Sequence, residues 1–278
     1  MIVKSILLAF LLTASLSYGQ TAIRKLNEST FSIGRSVQLE SVNLEEIRTI
    51  NIYLPTAYSN DSTKIYPVIY LLDGSKDEDF IHIAGLVQFG SFPWIDMLPE
   101  SIVVGIGNVD RKRDFTFPSS NARDRKDFPT SGRSERFIEF LQNELQPFIR
   151  SAYKVSDRET IIGQSLGGLL ATEILLRKPD LFDHYIIVSP SLWWSDEKLL
   201  KKQPIAPVST PGVYIAVGKE GEVMKRTARE LFEKLRKGEN KITNLHFEFL
   251  ESKTHGDALH MAVYNAFEKL YAIEPKQE

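Results

Sequence analysis

The sequence predicts an α/β fold in which a mostly parallel central sheet is covered by helices on both faces. Short apolar, β-branched runs alternate along the chain with longer segments of helical spacing, and this alternation is typical of such folds. Several of the short runs are apolar throughout, as expected for strands that are buried on both faces. The motifs that suggest chemistry follow these runs, and functional loops of a parallel sheet lie at the carboxyl ends of its strands.

The length and composition fit one large domain and exclude several classes of function. A chain of 278 residues, of which 42% are hydrophobic, can bury a substantial core. Its net charge of −2 at pH 7 gives no electrostatic case for binding nucleic acid or an anionic membrane. The chain has no cysteine, which excludes disulfides, a thiolate nucleophile and cysteine-ligated metals. We expect neither a metal nor an organic cofactor.

Residues 1–19 are predicted to be a signal peptide. Lys4 supplies a minimal basic region, residues 6–12 form an apolar core, and small residues near Gly19 predict cleavage after it. A membrane anchor is the alternative, but the apolar run is well below the roughly 20 residues that span a bilayer. We therefore expect a single domain over residues 20–278. An exported chain without disulfides suits a bacterial envelope, so the expected location is periplasmic or secreted.

Seven strands are predicted in chain order. Residues 47–54 alternate between apolar and polar, which indicates a half-buried antiparallel strand. Residues 21–46 are polar and weakly patterned, and no element is predicted there. The other predicted strands are 66–72, 101–107, 160–162, 185–188, 213–217 and 245–250.

Helical spacing lies between these strands. The strand at 160–162 is followed by a helix that ends before Pro179, and residues 110–133 form a long loop. Loops of this length are usually functional or disordered. The spacing predicts helical pieces within 77–98 and helices over 134–148, 223–237 and 258–271.

The stretch Gly163-Gln164-Ser165-Leu166-Gly167 has the nucleophile-elbow pattern G-x-S-x-G, between a predicted strand and a predicted helix. A serine on such a strained turn leaves little room for neighbouring side chains, and flanking glycines allow the backbone to approach closely. The turn lifts the hydroxyl above the sheet, and the next helix directs amide N–H groups towards a developing oxyanion. Ser165 is therefore the candidate nucleophile.

A serine hydroxyl needs a base to take its proton, and histidine is the expected base. In hydrolases with this elbow, the base follows both the nucleophile and the acid along the chain. His246 lies within the last predicted strand and His260 within the last predicted helix. His255 lies in the loop between them, from which a side chain can reach the elbow, so His255 is the candidate base.

Two carboxylates follow the strand predicted at 213–217. A carboxylate at this position would fix the imidazole tautomer and stabilise its cationic form. Glu220 is preferred because it is nearer the strand end, and Glu222 is the alternative. A Ser165–His255 dyad without a working acid is the third possibility.

The oxyanion hole of such a site needs two backbone donors. One is expected from the amide of Leu166, directly after the candidate nucleophile. The other is expected from Ser75, which follows Asp73-Gly74 at the end of the strand predicted at 66–72.

Four strings together carry a family resemblance: residues 71–75 (LLDGS), 163–168 (GQSLGG), 188–194 (VSPSLWW) and Thr254-His255. They resemble the esterase D-like esterases, which are α/β-hydrolases that include enterobactin-type siderophore esterases and mycolyltransferases. The resemblance covers roughly residues 30–272. It implies the α/β-hydrolase fold, Ser165 as nucleophile, His255 as base, and the amides of Ser75 and Leu166 as oxyanion donors. The match is loosest at the acid.

The stretch 111–116 also resembles a loop of siderophore esterases. Phe115, Trp193 and Trp194 are candidate linings of an aromatic acyl or catechol pocket, and Arg113 is a candidate contact for an anionic substrate. Core packing of the aromatic residues and a solvated basic loop are the structural alternatives.

We expect an exported serine esterase that forms an acyl-enzyme on Ser165, which water then resolves. Its partner would be a small-molecule ester, of siderophore type or another small acyl ester. A carbohydrate or feruloyl esterase, or an acyltransferase in which an alcohol replaces water, would use the same residues. A catalytically silent binding protein is the alternative from another class, and the intact elbow and His255 argue against it.

Overall fold

The computed structural model describes residues 23–58, 63–209, 211–238 and 242–271. The chain divides into two compact units, Met1–Ser32 and Ile33–Glu278. Residues 23–32, the described part of the first unit, are exposed and form neither helix nor strand. The predicted signal peptide lies outside the described residues.

The second unit is built on one eight-stranded sheet with the order β1-β2-β4-β3-β5-β6-β7-β8. The strands from β3 to β8 are parallel to one another, and β2 runs antiparallel to both β1 and β4. The strands are β1 (Arg35–Ser41), β2 (Glu46–Tyr53), β3 (Tyr66–Leu71), β4 (Ile102–Ile106), β5 (Val155–Gln164), β6 (His184–Val188), β7 (Gly212–Gly218) and β8 (Leu245–Leu250).

Helices cover both faces of this sheet. The longer ones and the short helices between them are α1 (Phe80–Gly90), α2 (Arg111–Asp114), α3 (Ala122–Asp127), α4 (Ser134–Phe140), α5 (Gln146–Ala152), α6 (Leu166–Arg177), α7 (Trp194–Lys201), α8 (Glu222–Lys237) and α9 (Leu259–Leu270). A π turn over Leu141–Leu145 joins α4 to α5, so the helix predicted at 134–148 extends to Ala152.

Two hydrophobic clusters form the core, one on each face of the sheet. Helices α4, α5, α6 and α8 pack on one face, and α1 and α9 pack on the other. Helix α6 is buried along almost its whole length, from Leu166 to Leu176. The strands beneath it are nearly continuous in apolar residues, as is typical of parallel sheets covered on both sides. The predicted α/β-hydrolase fold is confirmed.

Strand β1 is the element that the sequence pattern did not predict. It is an edge strand, paired with β2 alone in the sheet, and most of its side chains are exposed or half-buried. Its alternation is limited to Val37 and Leu39, which pack half-buried against the core between polar neighbours, and two apolar residues are too few to distinguish a strand from a loop. The long loop at 110–133 is also less irregular than expected, because α2 and α3 lie within it.

Of the helices in the described ranges, none combines the length and the hydropathy that crossing a bilayer would require. Among the same described residues, His, Asp and Glu side chains do not gather in groups of three or more as they would around a metal ion.

Candidate active site

Ser165 lies at the turn between β5 and α6, with φ of 60° and ψ of −118°. A positive φ is rare for a residue other than glycine, and such strain concentrates at functional sites. The surrounding backbone fixes the turn: the Ser165 N–H donates to the Val188 carbonyl at 3.0 Å, and the Ser165 carbonyl accepts from Leu169 N at 2.9 Å and Ser191 N at 3.0 Å.

The glycines beside Ser165 are required by backbone contact. A Cβ atom on Gly163 would lie 2.4 Å from the carbonyl oxygen of Gly167, and a Cβ on Gly168 would lie 2.9 Å from the carbonyl oxygen of Val188. Both neighbours are main-chain atoms, which cannot move aside as a flexible side chain can. The geometry is therefore that of the predicted elbow.

Glu220 and His255 form a tight pair at the ends of β7 and β8. His255 Nδ1 lies 2.5 Å from Glu220 Oε2. The Glu220 side chain is almost fully buried, at 4% exposure, whereas that of His255 is 49% exposed. Glu222 instead lies exposed in the first turn of α8. The structure therefore brings Glu220, and not Glu222, to the imidazole.

Further donors hold the Glu220 carboxylate. Its Oε1 atom accepts from Ser189 Oγ at 2.5 Å and from Gly218 N at 2.9 Å. Burial by itself raises the pKa of Glu220, but the hydrogen bonds from His255, Ser189 and Gly218 outweigh it and hold this pKa below its usual value. Glu220 is therefore ionised at neutral pH although it is buried.

The loop that carries His255 is held in two places. Asp257 Oδ1 accepts from Thr254 N at 2.6 Å and from Thr254 Oγ1 at 2.8 Å, which closes a tight turn around the histidine. Gln164 Nε2 donates to the His255 carbonyl at 2.6 Å. The residue before Ser165 thus links the histidine loop directly to the elbow.

Ser165 Oγ has a second hydroxyl as its hydrogen-bond partner. Its Oγ lies 3.4 Å from Ser191 Oγ, and no hydrogen bond joins it to His255 within the described part of the chain. Catalytic hydrogen bonds are often long or absent before a substrate binds. The structure thus brings the serine and the histidine to one cleft without a hydrogen bond between them.

The two predicted oxyanion donors lie at the start of α6 and on the loop after β3, which meet at the elbow. Leu166 N belongs to the first residue of α6, where a helical amide has no carbonyl partner within its own helix. A Cβ on Gly167 would lie 3.4 Å from both Asp73 Oδ2 and Leu72 Cβ, so the loop after β3 packs directly on the start of α6. Ser75, on that loop, donates its N–H to Glu78 Oε2 at 3.3 Å.

A charged cluster around Asp73, a residue for which the sequence patterns predicted no role, fixes the loop after β3. Arg111 donates to both carboxylate oxygens of Asp73, at 2.6 and 2.9 Å, and also to the carbonyl of Gln164 at 3.1 Å. Asn108 Nδ2 donates to Asp73 Oδ1 at 2.7 Å. Arg111 therefore joins the loop of the predicted oxyanion donor to the strand that ends at the elbow.

Three of the four predicted substrate contacts lie in the core or in an ion network and not in the cleft. Phe115 is fully buried against Phe137, because the loop that carries it folds into the core. Trp194 is also fully buried, and its indole N–H donates to the Phe117 carbonyl at 2.9 Å. These two aromatic residues are core residues, which corrects the prediction that they line a pocket.

The prediction for Arg113 is corrected in the same way. Its guanidinium donates to Glu46 Oε1 at 2.6 Å and to Asp114 Oδ1 at 2.7 Å. Asp114 is in turn paired with Arg48, a fully buried cation. Arg113 thus belongs to an ion network that anchors the 110–133 loop to β2, and its charge is already neutralised.

The fourth predicted contact, Trp193, does reach the cleft. The cleft is open, has a volume of about 430 Å³, and is lined by Ser165, Ser191, Trp193, Lys219, Glu220, Met224 and His255. Ser191, Lys219 and Met224 are cleft residues that the sequence patterns did not predict. The position of Ser191 and Lys219 just after β6 and β7 was the available signal, since functional residues of parallel sheets follow the strand ends.

Comparison with known proteins identifies the family. The chain matches the family described as "Putative esterase" over residues 41–264. It is 32% identical over 231 residues to the ferri-bacillibactin esterase BesA of Bacillus subtilis, covering 73% of this chain and 77% of that protein.

Solved structures give the same result. The IroE-like serine hydrolase from Shewanella oneidensis superposes with a TM-score of 0.73 at 28% identity, over 86% of this chain and 80% of that one. The BES protein from Bacillus cereus has a TM-score of 0.73 at 26% identity, over 91% of this chain and 100% of that one. The chain therefore belongs to this esterase family and is a carboxylic ester hydrolase.

Proposed function

We propose that the protein is an exported serine esterase that cleaves siderophore-type esters through an acyl-enzyme on Ser165. The observation that carries the mechanism is the constellation at the strand ends: a strained elbow serine, a buried ionised carboxylate, and an imidazole bound to that carboxylate in the same cleft. These are the parts of a nucleophile–base–acid site.

The Glu220–His255 contact sets the direction of proton transfer. A carboxylate at Nδ1 selects the tautomer with its proton on that nitrogen, which leaves Nε2 to accept a proton. In the proposed reaction, Ser165 Oγ attacks the ester carbonyl carbon while its proton moves to His255 Nε2. Collapse of the tetrahedral intermediate breaks the ester bond, and the alcohol leaves with the proton from Nε2.

Water completes the cycle in the reverse sense. Its oxygen attacks the acyl carbon, its proton moves to His255 Nε2, and the acid is released as that proton returns to Ser165 Oγ. The oxyanion of each tetrahedral intermediate would accept from the amides of Leu166 and Ser75. Glu78, which accepts from Ser75 N at 3.3 Å, would give way to the substrate oxygen.

The substrate class is inferred from the relatives and the cleft together. One relative is named as a ferri-bacillibactin esterase, and a related structure is described as an IroE-like serine hydrolase. The indole of Trp193 and the thioether of Met224 offer an apolar wall to an aromatic acyl group. Lys219 places a cation at the same cleft, which suits an anionic iron–catecholate ester.

We expect Ser165→Ala to abolish hydrolysis of ferri-bacillibactin without unfolding the protein. Loss of a nucleophile leaves only the residual effect of the oxyanion hole and binding, so kcat should fall by about 10⁴- to 10⁶-fold. Chromatographic detection of the released product measures kcat. The matched control is Ser151→Ala, because Ser151 is an exposed serine at the end of α5. A folded Ser165→Ala protein with retained activity would refute the mechanism, and a wild type active on simple aryl esters alone would refute the substrate class.

Glu220→Gln should lower kcat by about 10²- to 10⁴-fold, because an amide can favour the wrong imidazole tautomer and cannot balance the imidazolium charge. The matched variant Glu222→Gln should change kcat less than about twofold, since that side chain is exposed at the start of α8. Steady-state rates on one activated aryl ester compare the two. Losses below about tenfold in both variants would instead indicate a Ser165–His255 dyad.

Lys219→Gln should raise KM for an anionic aryl ester about two- to fivefold, the size expected for an exposed charge contact. The KM for the neutral methyl ester of the same compound should not change. A substrate pair such as 4-acetoxybenzoate and methyl 4-acetoxybenzoate tests this, with the exposed Lys202→Gln as control. Equal changes for both esters would show that Lys219 does not select for charge.

Export is proposed from residues 1–19 alone. If these residues are a signal peptide, the exported chain begins at Gln20. Intact mass spectrometry of the protein from the envelope and the medium measures its N-terminus. A full-length chain retained inside the cell would contradict the proposal.

A further inference from the structure

Ser189 is a buried residue in a strained backbone conformation directly beside the candidate site. It follows the last residue of β6, is fully buried, and has φ of 44°. Its N–H donates to the Ala216 carbonyl of β7 at 2.7 Å. A buried non-glycine residue with positive φ costs conformational energy, so the surrounding structure must hold it in place.

The hydroxyl of Ser189 binds one of the two Glu220 carboxylate oxygens and leaves the other for His255. Ser189 Oγ donates to Glu220 Oε1 at 2.5 Å, and Gly218 N donates to the same oxygen at 2.9 Å. The other oxygen, Oε2, is left to face His255 Nδ1. With one oxygen held by two donors, the carboxylate cannot rotate away from the imidazole without breaking both bonds.

Because Glu220 is buried, the hydrogen bond from Ser189 stabilises the negative charge of its carboxylate as well as fixing its position. Only 4% of the Glu220 side chain is exposed, so water can contribute little to its solvation. An ionised carboxylate in such a place needs donors from the protein. The bond from Ser189 is one of those that hold the pKa of Glu220 below its usual value.

We propose that Ser189 is a positioning residue of the esterase site, acting on His255 through Glu220. This inference rests on the proposed function, in which Glu220 orients the catalytic imidazole. We assign this role to the hydroxyl of Ser189 and not to its strained backbone. Substitutions at this position can separate the effect of the hydroxyl from that of the strain.

Two substitutions remove the hydroxyl, but only one of them also relieves the backbone strain. Ser189→Ala keeps a Cβ at positive φ, whereas Ser189→Gly adopts that conformation readily. We expect both variants to lower kcat on an activated aryl ester by on the order of ten- to thirtyfold, with KM unchanged, the loss expected for one bond to a charged group. A structural role would instead leave Ser189→Gly active, with a melting temperature at or above that of the wild type.

A double-mutant cycle tests the route through Glu220. In the Glu220→Gln background, where the carboxylate is already lost, Ser189→Gly should lower kcat by less than about threefold. Wild type, both single variants and the double variant are assayed together, and thermal unfolding of each confirms that it is folded. Additive losses, or a kcat of Ser189→Gly equal to that of wild type, overturn the inference.

Labelling by a fluorophosphonate probe separates this outcome from failure of the proposed function. A wild-type protein that is not labelled at Ser165 refutes the serine mechanism and the role of Ser189 with it. A wild type that is labelled and active, together with unaffected Ser189 variants, refutes the role of Ser189 alone.

Discussion

The close approach of the end of β5 to the start of α6 is the constraint on which the site depends. Gly163 lies so near the backbone of Gly167 that no side chain fits between them, and Ser165, at the turn between these two glycines, has a positive φ. The resulting strain is balanced by buried neighbours, since α6 is covered along most of its length and the Ser165 N–H is bonded to the end of β6. An unfavourable backbone conformation can persist when the residues around it are well packed.

The remaining site residues follow from the parallel order of the neighbouring strands. The ends of β6, β7 and β8 lie side by side, so Ser189, Glu220 and His255 meet although they are distant in sequence. The proposed acid is buried and ionised, while the proposed base is half exposed to solvent. That difference suits their proposed tasks, because the carboxylate has to keep its charge and the imidazole has to exchange protons with substrate and water.

The loop after β4 supports this arrangement from the other side. Arg48 is fully buried and pairs with Asp114, and Arg113 joins the same network through Glu46 and Asp114. Breaking one member of such a network would leave a buried charge without a partner, which is strongly destabilising. With the loop anchored in this way, Arg111 can reach Asp73 and the Gln164 carbonyl, and so connects the loop that carries Ser75 to the elbow that precedes Leu166.

The sequence predicts the fold class, the six parallel strands and the family, because each rests on local patterns: apolar runs, glycine spacing and short motifs. It also placed Ser165 and His255 at strand ends, since strand order along the chain is enough for that. Whether Glu220 or Glu222 faces His255 was decided by tertiary structure, because residues two apart differ only in the direction their side chains take once β7 ends. Tertiary structure likewise decided that Phe115 and Trp194 are core residues while Trp193 lines the cleft. Aromatic and charged side chains have the same local signature in a core, an ion network or a pocket, and only the packing of distant elements around them selects among these.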